Sequence, residues 1–147
     1  MNGLIIVVDS SVTVKWLNQI EEKLLKQADK LLTDTRNGKV SLLSPELAKY
    51  EIGNALIRKG LDEAEAADTL AALYALPIHF IPESESLAQK TYQIANQFAI
   101  TYYDASFIAL AQKHGARLVT DNIKHQGKAR DSKVIALKDY SATKIET

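Results

Sequence analysis

The chain has 147 residues, enough for one domain with its own core, and it is 46% hydrophobic and 24% charged, the balance of a globular protein. Lysine plus arginine equals aspartate plus glutamate at 18 each, so no global field draws in nucleic acid, and any such contact must come from a local patch or from metal ions. There is no cysteine, no apolar run of the ~18 residues a membrane span needs, and in "MNGLIIVVDSS" neither the basic segment nor the apolar length of a signal peptide; disulfide, zinc–thiolate and cysteine-nucleophile chemistry are excluded and a cytoplasmic protein is expected.

Taken in chain order, strand and helix signals alternate. "LIIVV" (4–8) is a short apolar run, as in a strand covered on both faces. Helices are expected over 11–18 and 20–36, with Gly38 as a stop, and a second strand over "KVSLLS" (39–44). Pro45 suits the first turn of a helix running to Lys59, with Gly60 at its end. "LDEAEAADTLAALYAL" (61–76) is helical by composition, and its apolar run 70–76 is read as core. "IHFI" (78–81), between two prolines, predicts a third strand. Helices over 84–98 and 103–114, a strand "ARLVT" (116–120) and a fifth strand "KVIAL" (133–137) complete the chain. There is no repeat and no Pro/Gly-rich linker. The pattern predicts a single α/β domain, a parallel sheet between two helical layers, with ligands bound beyond the carboxyl ends of its strands.

Four acids stand where such a fold keeps its sites. Asp9 follows the first strand and Asp121 the fourth. Glu51 lies in "PELAKYEIGNALIRKG", flanked at about 40° on either side by Leu47 and Ala55 on a helix turning about 100° per residue. Asp104 opens the helix "YYDASFIALAQKHG" on the face of Phe107, Ile108 and Ala111. Each has an ordinary explanation. Asp9 suits a helix N-cap, Asp121 a loop turn, Glu51 a pair with Arg58, and Asp104 a helix N-terminus. Together they are harder to dismiss, because two carboxylates about 4 Å apart repel by roughly 4 kcal/mol at an effective dielectric of 20. Such a cluster needs protons or cations. An all-oxygen ligand set suits magnesium or manganese, ions that serve phosphoryl chemistry.

"IIVVDSSVTVKW", "SPELAKYEIGNAL" and "TYYDASFIALAQKHGARLVTDN" together resemble the PIN-domain family, and within it the VapC-type toxins of toxin–antitoxin pairs. The resemblance covers essentially the whole chain and is most specific in the last block. It implies a five-stranded parallel sheet, a divalent metal (Mg2+ or Mn2+), cleavage of RNA phosphodiester bonds, a homodimer and a cognate antitoxin. Asp9, Glu51 and Asp104 match the family's three main acidic positions, and Ser10 and Asn54 match accompanying polar positions. The family commonly reads Thr, any residue, Asp after the fourth strand. This chain reads Thr120, Asp121, Asn122. Either a one-residue bulge brings Asp121 to the metal, or the family register presents Asn122; Asp121 is expected to contribute, because divalent ions prefer charged oxygen.

Other constellations are weaker. Haloacid-dehalogenase phosphatases need a second Asp where Ser11 stands, and receiver domains need an Asp where "IPESES" follows the third strand. No glycine-rich phosphate loop is present, and His79, His114 and His125 show no ligand spacing. "NIKHQGKAR" (122–130) places Lys124, Lys128 and Arg130 beside the proposed site, where they can contact RNA phosphates or simply remain solvated. The expected function is thus a metal-dependent endoribonuclease. The alternatives are a PIN domain that binds RNA or protein without cutting it, or a nuclease acting on DNA.

Overall fold

The computed structural model describes residues 3–129 and 133–142. Five strands, β1 (Leu4–Val8), β2 (Val40–Pro45), β3 (Ile78–Ile81), β4 (Arg117–Thr120) and β5 (Val134–Ala136), form one sheet in the order β3-β2-β1-β4-β5. Every pairing is parallel. The helices are α1 (Ser10–Leu17), α2 (Leu25–Arg36), α3 (Leu47–Arg58), α4 (Glu63–Ala75), α5 (Glu85–Phe98), α6 (Tyr102–Lys113) and the short α7 (Ile123–Gln126), followed after β5 by one 3₁₀ turn at Leu137–Asp139. This is the three-layer α/β/α architecture expected from the alternation of signals.

The central strand shows why the layers form. Its side chains alternate across the sheet. Ile6 and Val8 enter one core with Val12, Ala28, Leu31 and Leu137, beneath α1 and α2. Val7 enters the other with Ile52, Leu56, Phe107 and Ile108, beneath α3 to α6. All of these are 0–2% exposed, so the strand is sealed on both faces. From β1 the chain proceeds outward through β2 and β3, then returns to the other side of β1 for β4 and β5. The order therefore switches between β1 and β4, and crevices in parallel sheets open at that point, beyond the strands' carboxyl ends.

Three expectations need correction. Pro45 ends β2, in register with Ile81, instead of opening a helix; Glu46 follows it and donates its N–H to the Ile81 carbonyl at 3.0 Å. The helix expected from residue 20 begins at Leu25, because Glu21 and Leu24 adopt left-handed φ of 60° and 58° and interrupt it. The apolar run 70–76 is mostly exposed: Leu73 is buried, but Tyr74 is 68% and Leu70 37% exposed. The helix boundaries elsewhere follow the sequence closely. Asp62 and Glu65 form a capping box ahead of α4. Among the described residues, no helix is long and apolar enough to cross a membrane.

Candidate metal centre

Asp9 stands immediately after β1 and caps α1, with φ −76° and ψ 152°, so the ordinary N-cap explanation is also true of it. The register Val8↔Val119 sets it beside Thr120, and its N–H bonds to the Val119 carbonyl at 3.0 Å. Its carboxylate is 5% exposed and fully engaged on one side. Oδ2 accepts from the Ser11 N–H, the Ser11 hydroxyl and, at 3.1 Å, the Thr120 hydroxyl. Each hydroxyl has one proton to give. Having given it to Asp9, each accepts from the backbone beyond β4: Ser11 Oγ from the Asp121 N–H at 3.0 Å, Thr120 Oγ1 from the Asn122 N–H at 2.8 Å. Thus Asp9 fixes the turn that carries Asp121 and Asn122. Oδ1 receives the Gln126 amide at 3.1 Å and has capacity to accept further.

Glu51 comes from α3. Its Oε1 accepts the Ser10 hydroxyl at 2.8 Å. Burial foremost raises its pKa; the Ser10 hydrogen bond works against that, and the like charges of Asp9 and Asp104 add to it. Glu51 therefore feels the charge of both other acids. Arg58, the alternative partner, is exposed and lines the same cleft. Asp104 lies in the first turn of α6, where its N–H bonds to the Thr101 capping hydroxyl at 3.0 Å.

These residues meet in an open cleft of about 550 Å³ at the switch point. Its wall includes Asp9, Ser10, Glu51, Asp104, Asp121 and Asn122. Asn54 does not share it; that side chain lies on the exposed face of α3. Lys124 and Lys128 are exposed and are not part of the wall, and Arg130 lies outside the described residues. β4 runs regularly to Thr120, which pairs with Ala136. Thr120 turns to Asp9, while the Asp121 carboxylate meets Lys15 Nζ at 3.0 Å.

Four side chains at or behind the cleft carry no signal that the sequence offered as a site. Lys15, 2% exposed, joins Asp121 to Glu22, and Lys59 holds Glu22 from the other side at 2.8 Å. Glu22 is pulled below the usual carboxylate range: burial pushes it up, and the two lysines more than offset this. Gln126 is wholly buried, and its amide bridges Asp9 to the Asp104 carbonyl while its own Oε1 finds no partner. A lysine inside the apolar run "VTVKWL" was the available clue to the first of these.

The donors fit a hard cation in kind, being carboxylate, hydroxyl and amide oxygens without sulfur or imidazole. Among the described residues no three acidic or histidine side chains stand close enough to form a finished cage. The Asp9 and Glu51 carboxylates instead accept hydrogen bonds from the chain, and an ion would have to draw Glu51 and Asp104 toward Asp9.

Residues 6–131 match the family model of the PIN domain. The chain belongs to the PIN domain family. A curated relative, Ribonuclease VapC3 of Pyrobaculum aerophilum, is 31% identical over 123 residues, covering 78% of this chain and 87% of that protein. The PIN fold is also seen in VapBC2 of Rickettsia felis, solved bound to a DNA fragment from its promoter, with a TM-score of 0.71 at 14% identity over 90% of this chain and 98% of that one. VapC20 of Mycobacterium tuberculosis, described as a sarcin-ricin loop cleaving toxin, gives 0.61 at 15% identity over 77% and 86%. At such identities the two solved structures speak to the fold.

Proposed function

We propose that this PIN domain is a magnesium- or manganese-dependent endoribonuclease, the toxin of a toxin–antitoxin pair. The observation that carries the reading is that Asp9, Glu51 and Asp104 line one cleft at the switch point, in a chain 31% identical to a ribonuclease. Asp9 through Oδ1, Glu51 and Asp104 are the residues to hold the ion, with Asp121 and Asn122 at the rim. When bound, the ion supplies an activated water and neutralises charge on the leaving oxygen. Burial and the like charges of Asp9 and Asp104 raise the pKa of Glu51 in the metal-free protein, and a cation held here would relieve that repulsion. Ser10 fixes its orientation, and Ser11, Thr120 and Gln126 fix that of Asp9.

RNA is the proposed substrate, with Lys124, Lys128 and Arg130 as candidate phosphate contacts. A cognate antitoxin and a second copy of the chain are the proposed protein partners. Exposed Tyr50, Ile57 and Tyr74, at 77%, 76% and 68%, suit such contacts. Purified protein with magnesium should cut RNA, a chelator should stop it, and DNA should remain intact. RNA bound but uncut with both magnesium and manganese would favour a domain that only binds; cleavage of DNA instead would favour the DNA-directed alternative.

A further inference from the structure

We propose that Lys15 is a positioning residue of this cleft: its buried ammonium is a built-in counter-cation that holds Asp121 at the rim, so that a single divalent ion is left to Asp9, Glu51 and Asp104. The proposal rests on the metal-dependent reading above and extends it to a residue of no assigned role.

The geometry is specific. Lys15 lies in the middle of α1, between Val14 and Trp16, and is 2% exposed. An ammonium has three protons. Here it donates hydrogen bonds to the Lys23 carbonyl at 2.7 Å and Glu22 Oε1 at 3.0 Å, and forms an ion pair with Asp121 Oδ2 at 3.0 Å. A buried charge is tolerated only when paired and hydrogen-bonded in this way. Beyond Glu22 stands Lys59, which also takes the Asn18 and Ile20 carbonyls. Charge therefore alternates Lys59, Glu22, Lys15, Asp121 along one wall of the cleft, and these four sum to zero.

Asp121 consequently has its charge answered before any ion arrives. Glu51 is in the opposite condition, since it feels Asp9 and Asp104 as like charges. An incoming divalent ion gains most where negative charge is uncompensated. To ligate it, Asp121 would have to leave an ammonium that is otherwise buried, exposing that ammonium to the cost of losing a partner. Removing the ammonium while keeping the apolar stem would free Asp121 and leave Glu22 to Lys59 alone, opening a second cation site at the rim.

The test is manganese binding measured by electron paramagnetic resonance on the full chain, with folding checked by circular dichroism. Wild type should bind one ion. Lys15→Met should bind a second ion, or the first about tenfold more tightly, because affinity follows the number of available charged ligands. Lys15→Arg should keep the single ion. Lys15→Met combined with Asp121→Asn should return binding to the wild-type value, which a merely structural role for Lys15 would not produce. If Lys15→Met does not fold, Asp121→Asn alone decides: the proposal expects manganese affinity to fall by at most about threefold, and a collapse would make Asp121 a ligand in its own right. Unchanged binding in folded Lys15→Met, or a double variant that stays altered, overturns the proposal. Two ions in wild type also overturns it while leaving the metal reading intact. No ion in wild type overturns that reading itself, and this proposal with it.

Discussion

Ser10 Oγ lies 2.8 Å from Glu51 Oε1, joining the first turn of α1 to the middle of α3 across the mouth of the cleft. Residues 41 positions apart in sequence thereby share one hydrogen bond at the point where the sheet order reverses. The bond favours the charged form of Glu51 against burial and the neighbouring acids. Ser10→Ala removes that help, so ionisation of Glu51 moves to still higher pH. Manganese affinity should then fall more at acid than at alkaline pH, as read by titration across a pH series.

Glu51 also predicts a stability effect in the absence of metal. Its pKa in the fold lies above the ordinary 4.5, with burial the largest cause. An acid of this kind costs stability as pH rises through its raised pKa, and the cost persists above it. Glu51→Gln should therefore melt a few degrees higher than wild type at pH 8 without metal, and show no such gain at pH 4. Loss of metal-induced stabilisation in the same variant would accompany it.

Asp34 runs the other way and lies far from the cleft. It is 1% exposed and accepts the Tyr140 hydroxyl at 2.7 Å and the Lys30 ammonium at 3.1 Å. Burial pushes its pKa up, but these bonds and the nearby Lys39 more than offset it, leaving the group below 3.8. Its contribution is present above that value and is lost as pH falls through the lowered pKa. Tyr140→Phe leaves a buried carboxylate short of a donor and should cost about 1.5–3 kcal/mol near neutral pH in chemical denaturation. The difference should shrink as pH falls and the carboxyl of the variant takes up its proton.

The sheet and most of its helices were legible because strand-like runs alternate with helical ones and the chain punctuates them, with Gly38 and Gly60 after helices. The placement of Asp9, Glu51 and Asp104 on one cleft was legible for the same reason, since strand ends and helical phase determine which way a side chain leaves the backbone. What could not be read was long-range pairing. Lys15 and Lys59 reach the 18–23 loop and Asp121 through side-chain contacts that no periodicity encodes. Gln126 was hidden inside a stretch that reads as a solvated basic loop, yet it forms part of a helical turn with its amide buried against Asp9. Pro45 misled for a local reason: a proline suits the first turn of a helix as well as the last residue of a strand.

Lys124, within α7, and Lys128, just after it, are exposed and outside the cleft wall. If they contact RNA phosphates, replacing both with alanine should weaken binding uniformly across sequences. It should also flatten the dependence of log affinity on log salt by about 1.4, at roughly 0.7 per phosphate contact on a single strand. An unchanged slope would mark them as solvated surface.

Diffraction from crystals soaked in manganese, with anomalous differences collected at the metal edge, tests the central claim most directly. One ion should appear beside Asp9 Oδ1, with carboxylate oxygens of Glu51 and Asp104 drawn to about 2.0–2.6 Å from it, through water where a side chain falls short. Anomalous density elsewhere on the chain, or none at saturating manganese with the three carboxylates still apart, would contradict the metal centre.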